Sequence, residues 1–161
     1  MSQIEIIDDY LPQDTFNKLQ EQLLCQQFPW FYRNGIVKLN PIYFQFVHTF
    51  KPPSPYIDII APLLHKIDPK QILRCKCNLR PITDEPQRSP YHIDLSNNND
   101  YKIAIYYINT NNGYTIFRHN EQQVQSKANR ILLFDGTLEH AGVSSTDTKR
   151  RVVLNLNYLP K

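Results

Sequence analysis

No apolar run in the 161 residues approaches the roughly 20 needed for a transmembrane helix, so no helical membrane span is expected. The start, Met1-Ser2-Gln3-Ile4-Glu5, lacks the basic and apolar regions of a signal peptide, and the expected location is the cytoplasm. Cysteine is scarce. Cys25, Cys75 and Cys77 cannot all pair, and Cys-x-Cys on one strand points both thiols the same way. Buried reduced thiols are therefore expected rather than a disulfide framework. Excess charge is small as well: a net +3 suits an anionic small molecule or a weak nucleic-acid encounter and decides between neither. No internal repeat, low-complexity segment or second domain is visible. What remains is a chain with 41% hydrophobic and 20% charged residues, ordinary for a globular protein and long enough for one domain with a real core.

The first third reads as helical. Phe16, Leu19, Leu23 and Leu24 recur at helical spacing between Pro12 and Gln27. Ser54-Pro55 opens a second helix whose apolar face is Ile59, Ile60, Leu63, Leu64 and Ile67, with Pro62 threatening a kink. Between them, residues 35 to 50 read as a strand pair. From Gln71 the period becomes two: Leu73, Cys75, Cys77 and Leu79 alternate with Arg74, Lys76, Asn78 and Arg80. Further strands are expected over 101–109, 114–117, 130–134 and 151–158, with Asn111-Asn112-Gly113 as a turn. Many short strands behind helices predict a mostly β barrel or jelly roll with helices packed outside.

The chemistry sits after a proline-broken loop. His92 and Asp94, two apart on an extended segment, project to one face and can grip a metal together. His140, near the end of the chain, is the candidate third ligand. Two histidines and one carboxylate on one face of a metal leave three positions open, the arrangement of non-haem iron(II) oxygenases. The motif alone is weak, since a lone His-x-Asp is more often an ordinary surface pair. Its setting strengthens it: strands on both sides, His140 after a strand, and arginines at the start of the last strand. His48, His65 and His119 have no such setting and read as structural or exposed. The aromatic stretch from Phe28 to Tyr32 reads as core.

From Gln71 to Tyr158 the chain resembles the 2-oxoglutarate/iron(II) oxygenases, specifically the short stand-alone members of the prolyl-hydroxylase-like branch. The resemblance implies a double-stranded β-helix over 71–161, with 1–70 as a helical support region in the same domain. It implies iron(II) held by His92, Asp94 and His140, with 2-oxoglutarate and dioxygen as co-substrates. Arg151 matches the residue that pairs with the distal carboxylate of 2-oxoglutarate, and Tyr107 the strand tyrosine that shares it. Arg150 is the rival for Arg151. Alternation puts Arg151 with Asn155 and Asn157, and Arg150 with Val152, Leu154 and Leu156, unless a bulge intervenes. Where many relatives end the first barrel strand in tyrosine, this chain has Arg80; Asn78, on the same face, is the replacement contact to the co-substrate.

The implied reaction is hydroxylation of a C–H bond, with succinate and carbon dioxide released. The favoured substrate is a peptide or protein side chain, proline among them, or a small molecule. Three rivals share the barrel: a cupin-like isomerase or lyase, a metal-binding barrel without catalysis, and a nucleic-acid demethylase. Cupins usually offer more histidines, and Arg151 would then be unexplained. The basic residues leave nucleic acid open, although no base-flipping insertion is evident. Fold alone cannot choose the substrate.

Overall fold

The computed structural model describes residues 4–35, 43–96 and 100–161. Ten strands and two helices lie among them. The central strand is the last one, β10 (Arg150–Leu159), numbered in chain order. It pairs antiparallel with β4 (Gln71–Pro81) on one side and β5 (Lys102–Tyr107) on the other. Beyond β5 lie β8 (Ile131–Asp135) and β1 (Glu5–Ile7); beyond β4 lie β3 (Phe44–Thr49) and β2 (Phe31–Asn34). A second sheet orders β7 (Gln123–Gln125), β6 (Tyr114–Phe117) and β9 (His140–Val143). Bridges Arg88↔Val143 and His92↔His140 run the segment 88–92 alongside β9.

Alternation explains the layering. On β10, Val152, Leu154 and Leu156 are buried on the face that meets the helices, α1 (Gln13–Leu24) and α2 (Ile57–Ile67). Phe16, Leu19 and Leu23 from α1 and Ile60 and Leu63 from α2 complete that core with Cys75, Cys77 and Tyr106. Each fully buried Leu or Phe there contributes roughly 1.5–3 kcal/mol. The opposite face of the large sheet meets the small sheet, where Tyr107, Phe117, Phe134 and Val153 pack together. The three cysteines are free. Arg150 follows the helix-side face and donates to the Leu24 carbonyl at 2.7 Å. The one register shift on β10 falls between Asn157 and Tyr158, past the site, so alternation from Arg151 to Asn157 is unbroken.

Several expectations need correction. The second helix begins at Ile57, because Ser54 spends its carbonyl and hydroxyl on a turn, accepting from the amides of Ile57 and Tyr56, each at 3.2 Å. The strand pair is Phe31–Asn34 with Phe44–Thr49, so its first strand starts earlier than read; residues 36–42 of that reading lie outside the described residues. Phe31 and Tyr32 are 61% exposed on this edge pair, not core; only Phe28 of that stretch is fully buried. The first third is not helical alone, since it also adds β1, β2 and β3 to the large sheet.

Candidate active site

His92 and His140 come from segments 48 positions apart and are zipped together. Each backbone amide donates to the other's carbonyl, at 3.0 and 3.1 Å, and the ring centroids are 4.7 Å apart. His140 opens β9 rather than lying in a loop. Asp94 lies in a bend beyond the bridged His92, not on a regular strand. One ligand atom from each of His92, Asp94 and His140 falls within 4.8 Å of the others.

The donor set suits a metal ion. Nδ1 of His92 faces the Pro90 carbonyl and Nδ1 of His140 the Leu138 carbonyl, both at 3.1 Å. A carbonyl only accepts, so each Nδ1 carries the proton and each Nε2 keeps a lone pair for the centre. Burial pushes the His140 pKa down to about 4, partly offset by Asp94, so its ring is neutral near pH 7. Burial works against the Asp94 carboxylate, but the Arg74 guanidinium and the Asn157 amide favour its charged form and hold its pKa well below the usual range. Asn155 and Asn157 both donate to its Oδ2, at 3.0 and 2.9 Å. Its Oδ1 lies 3.4 Å from His92 Nε2 and 3.0 Å from Arg74 Nη2.

A cavity opens beside this triad, with about 580 Å³ of empty space including its mouth. Arg151 lines it and is 4% exposed. Its Nε donates to Ser126 Oγ at 3.0 Å and its Nη2 to Thr115 Oγ1 at 3.3 Å, and no carboxylate pairs with it among the described residues. Burial lowers its pKa, the Tyr107 phenol opposing this. Tyr107 stands behind the cavity wall. Its hydroxyl donates to the same Thr115 Oγ1 at 2.8 Å, and its ring centre is 5.8 Å from the Arg151 guanidinium carbon. Asn78 and Arg80 both line the cavity. Arg80 Nη1 donates to the Gly142 carbonyl at 2.9 Å, and burial together with Arg151 brings its pKa to about 10.

Other residues of the site went unassigned in the sequence. Asn155 and Asn157 were legible as a polar pair on the Arg151 face, without a role. Thr115 and Ser126, which hold Arg151, left no signal. Arg74, on the polar side of the β4 alternation, meets Asp94, because the polar face of β4 turns into the barrel and its apolar face meets the helices.

No family model and no curated protein sequence matches this chain. Solved structures do. A prolyl hydroxylase from Trichoplax adhaerens, in complex with a hypoxia inducible factor peptide, superposes with a TM-score of 0.75 at 16% identity, over 97% of this chain and 83% of that one. The fold is that of the 2-oxoglutarate/iron(II) oxygenases. A viral collagen prolyl hydroxylase from Paramecium Bursaria Chlorella virus-1, in its 2-oxoglutarate complex, gives a TM-score of 0.59 at 15% identity, over 98% and 96% of the two chains. HygX from Streptomyces hygroscopicus, with nickel, 2-oxoglutarate and hygromycin B bound, gives 0.64 at 12% identity, over 99% and 84%. The double-stranded β-helix that the family resemblance implied, a form of the barrel or jelly roll expected from the strand pattern, is thus the observed architecture. No described helix is long and apolar enough to cross a membrane.

Proposed function

We propose that the chain is an iron(II)- and 2-oxoglutarate-dependent oxygenase that hydroxylates a C–H bond. The observation that carries this reading is Arg151: a buried guanidinium with no carboxylate partner among the described residues, lining the cavity that holds the two-histidine, one-carboxylate triad. Leaving a buried cation unpaired is strongly unfavourable, so an anion is the fitting occupant. An arginine fork fits a carboxylate with two parallel hydrogen bonds.

In this reading His92, Asp94 and His140 hold the iron and Arg151 orients the distal carboxylate of 2-oxoglutarate. Tyr107 shares that role, its hydroxyl meeting Arg151 at Thr115, and Asn78 is a further co-substrate contact. Iron(II) with 2-oxoglutarate and dioxygen would supply the oxidising power, releasing succinate and carbon dioxide. The protein's own part is geometry: a neutral His140, a fixed Asp94, and a cavity that restricts water. Likeness to two prolyl hydroxylases favours a peptide or protein side chain as substrate, proline first, while HygX with its bound hygromycin B supports a small molecule. The expected location is the cytoplasm.

The test is anaerobic titration with iron(II), then with 2-oxoglutarate, following the visible charge-transfer band of the chelate. The band is expected in the native protein and lost in Arg151→Ala and His140→Ala. Iron binding without a band would favour a cupin-like metal enzyme instead. Undiminished succinate production by Asp94→Ala would sink the assignment.

A further inference from the structure

The cavity wall carries more positive charge than the proposed iron and co-substrate need. Lys76, Arg80 and Arg151 line it, and Asp94 is the one carboxylate among its lining residues. Three of the arginines nearby are engaged: Arg74 by Asp94, Arg80 by the Gly142 carbonyl, and Arg151 by Ser126 and Thr115. The side chains of Lys76 and Arg33 are left over, with no hydrogen bond or ion pair to any described residue, although their backbones pair in the sheet.

Lys76 is half-buried on β4, beside Asn155 of β10, whose amide holds Asp94. It therefore points into the barrel one strand away from the support of the triad. Arg33 lies on β2 opposite Gln45 of β3, and Val47, two residues along β3, is opposite Asn78 of β4. Alternation thus places Arg33, Gln45 and Val47 on the sheet face that lines the cavity. Gln45 is 4% exposed and lines the cavity, and its amide has no hydrogen-bond partner among the described residues. Arg33 is exposed on β2, and its charge is felt at Lys76, where burial first, then Arg74 and Arg33, lower the ammonium pKa to about 8 against the pull of Asp94.

A donor-only ammonium and an unpartnered amide lining one cavity, with a donor-only guanidinium on the same sheet face nearby, match a group rich in acceptor oxygens. We propose that Lys76, Gln45 and Arg33 form an anion subsite that takes a carboxylate of the molecule being oxidised. The proposal rests on the oxygenase reading above and names the substrate class for it. The carboxylate is either the α-carboxylate of a free amino acid or the side-chain acid of an aspartate or glutamate residue.

The test is calorimetric titration of the anaerobic iron(II) protein, with and without 2-oxoglutarate, against free amino acids and their α-amides. Capped aspartate and glutamate residues, which carry only the side-chain acid, form a second arm. At least one acid is expected to bind tenfold or more tightly than its amide. Lys76→Gln is expected to remove that preference, Lys76→Arg to keep it, and both to bind 2-oxoglutarate within twofold of the native protein. Preference for free acids assigns the α-carboxylate; binding of the capped residues assigns the side-chain acid. If no acid outbinds its amide, the subsite does not exist. If Lys76→Gln weakens 2-oxoglutarate as much as Arg151→Gln does, Lys76 serves the co-substrate and the proposal falls. A native protein that binds no 2-oxoglutarate fails on the oxygenase reading, and acid binding to its iron(II) form then still decides the subsite.

Discussion

The side-chain amide of Asn157 donates to Asp94 Oδ2 at 2.9 Å, across 63 positions of chain. Asn155 makes the same bond at 3.0 Å from two residues earlier on the central strand. Two donors on one oxygen fix the carboxylate plane and keep Oδ1 turned towards the histidines. Outer partners of this kind typically carry 10–100-fold in metal affinity. Asn157→Ala is therefore expected to raise the dissociation constant for iron(II) about tenfold or more, with little change in thermal stability. Metal titration beside a melting curve checks both, and unchanged iron affinity would mean that Asn155 alone suffices.

Gly113 lies where a side chain would strike Arg151. A Cβ built there falls 2.6 Å from Arg151 Cδ and 2.8 Å from both Asn111 Oδ1 and the Val143 carbonyl. Overpacking of this kind typically costs about 1–3 kcal/mol. Gly113→Ala is expected to displace the guanidinium and weaken 2-oxoglutarate binding about tenfold, leaving iron(II) binding in place. Titrating the two separately distinguishes this from general misfolding, which would weaken both.

Gly136 answers to Tyr101. A Cβ at Gly136 would meet the Tyr101 ring at 2.3 Å, and the Tyr101 hydroxyl donates to the Gly136 carbonyl while accepting from the Leu95 amide, both at 2.9 Å. That hydroxyl fastens the backbone immediately after Asp94. Gly136→Ala is expected to lower stability by about 1–3 kcal/mol and to weaken iron(II) binding as well. Denaturant unfolding and metal titration read the two effects.

Asp8 clamps the first strand to the barrel. It accepts from Arg130 Nε at 2.6 Å and from Lys127 Nζ at 2.9 Å, and hydrogen bonds from Arg130 and then Lys127 lower its pKa to about 2. A carboxylate whose folded pKa is depressed stabilises above its unfolded value, near 3.8, and loses that contribution as pH falls towards 2. Because Asp8 is partly exposed, screening keeps the contribution below about 1 kcal/mol. Asp8→Asn is expected to be slightly less stable than the native protein at pH 7, and the gap is expected to narrow below pH 4. Unfolding curves at both pH values test it.

Alternation on β10 was sufficient to separate Arg151 from Arg150. One points into the barrel with Asn155 and Asn157, and the other reaches the end of α1. The same logic on β4 separated its faces but not their destinations, since the polar face of an isolated strand looks solvated until another sheet covers it. Strands of three residues, such as Glu5–Ile7 and Gln123–Gln125, carry too few alternations to be read. The exposure of Phe31 and Tyr32 was likewise illegible, because an edge pair leaves apolar side chains without a neighbour to cover them.

By itself the sequence determined the periodicities, and through them a β barrel or jelly roll with its helical backing, the His92–Asp94 pair and the direction of Arg151. Those properties are local: they follow from which side chains alternate along a few residues of extended backbone. The tertiary structure decided what meets what. His140 reaches His92 through a bridge between distant segments, Asn157 reaches Asp94, and Thr115 joins Tyr107 to Arg151. Contacts of that kind depend on strand order and sheet stacking, which no short stretch of chain encodes by itself.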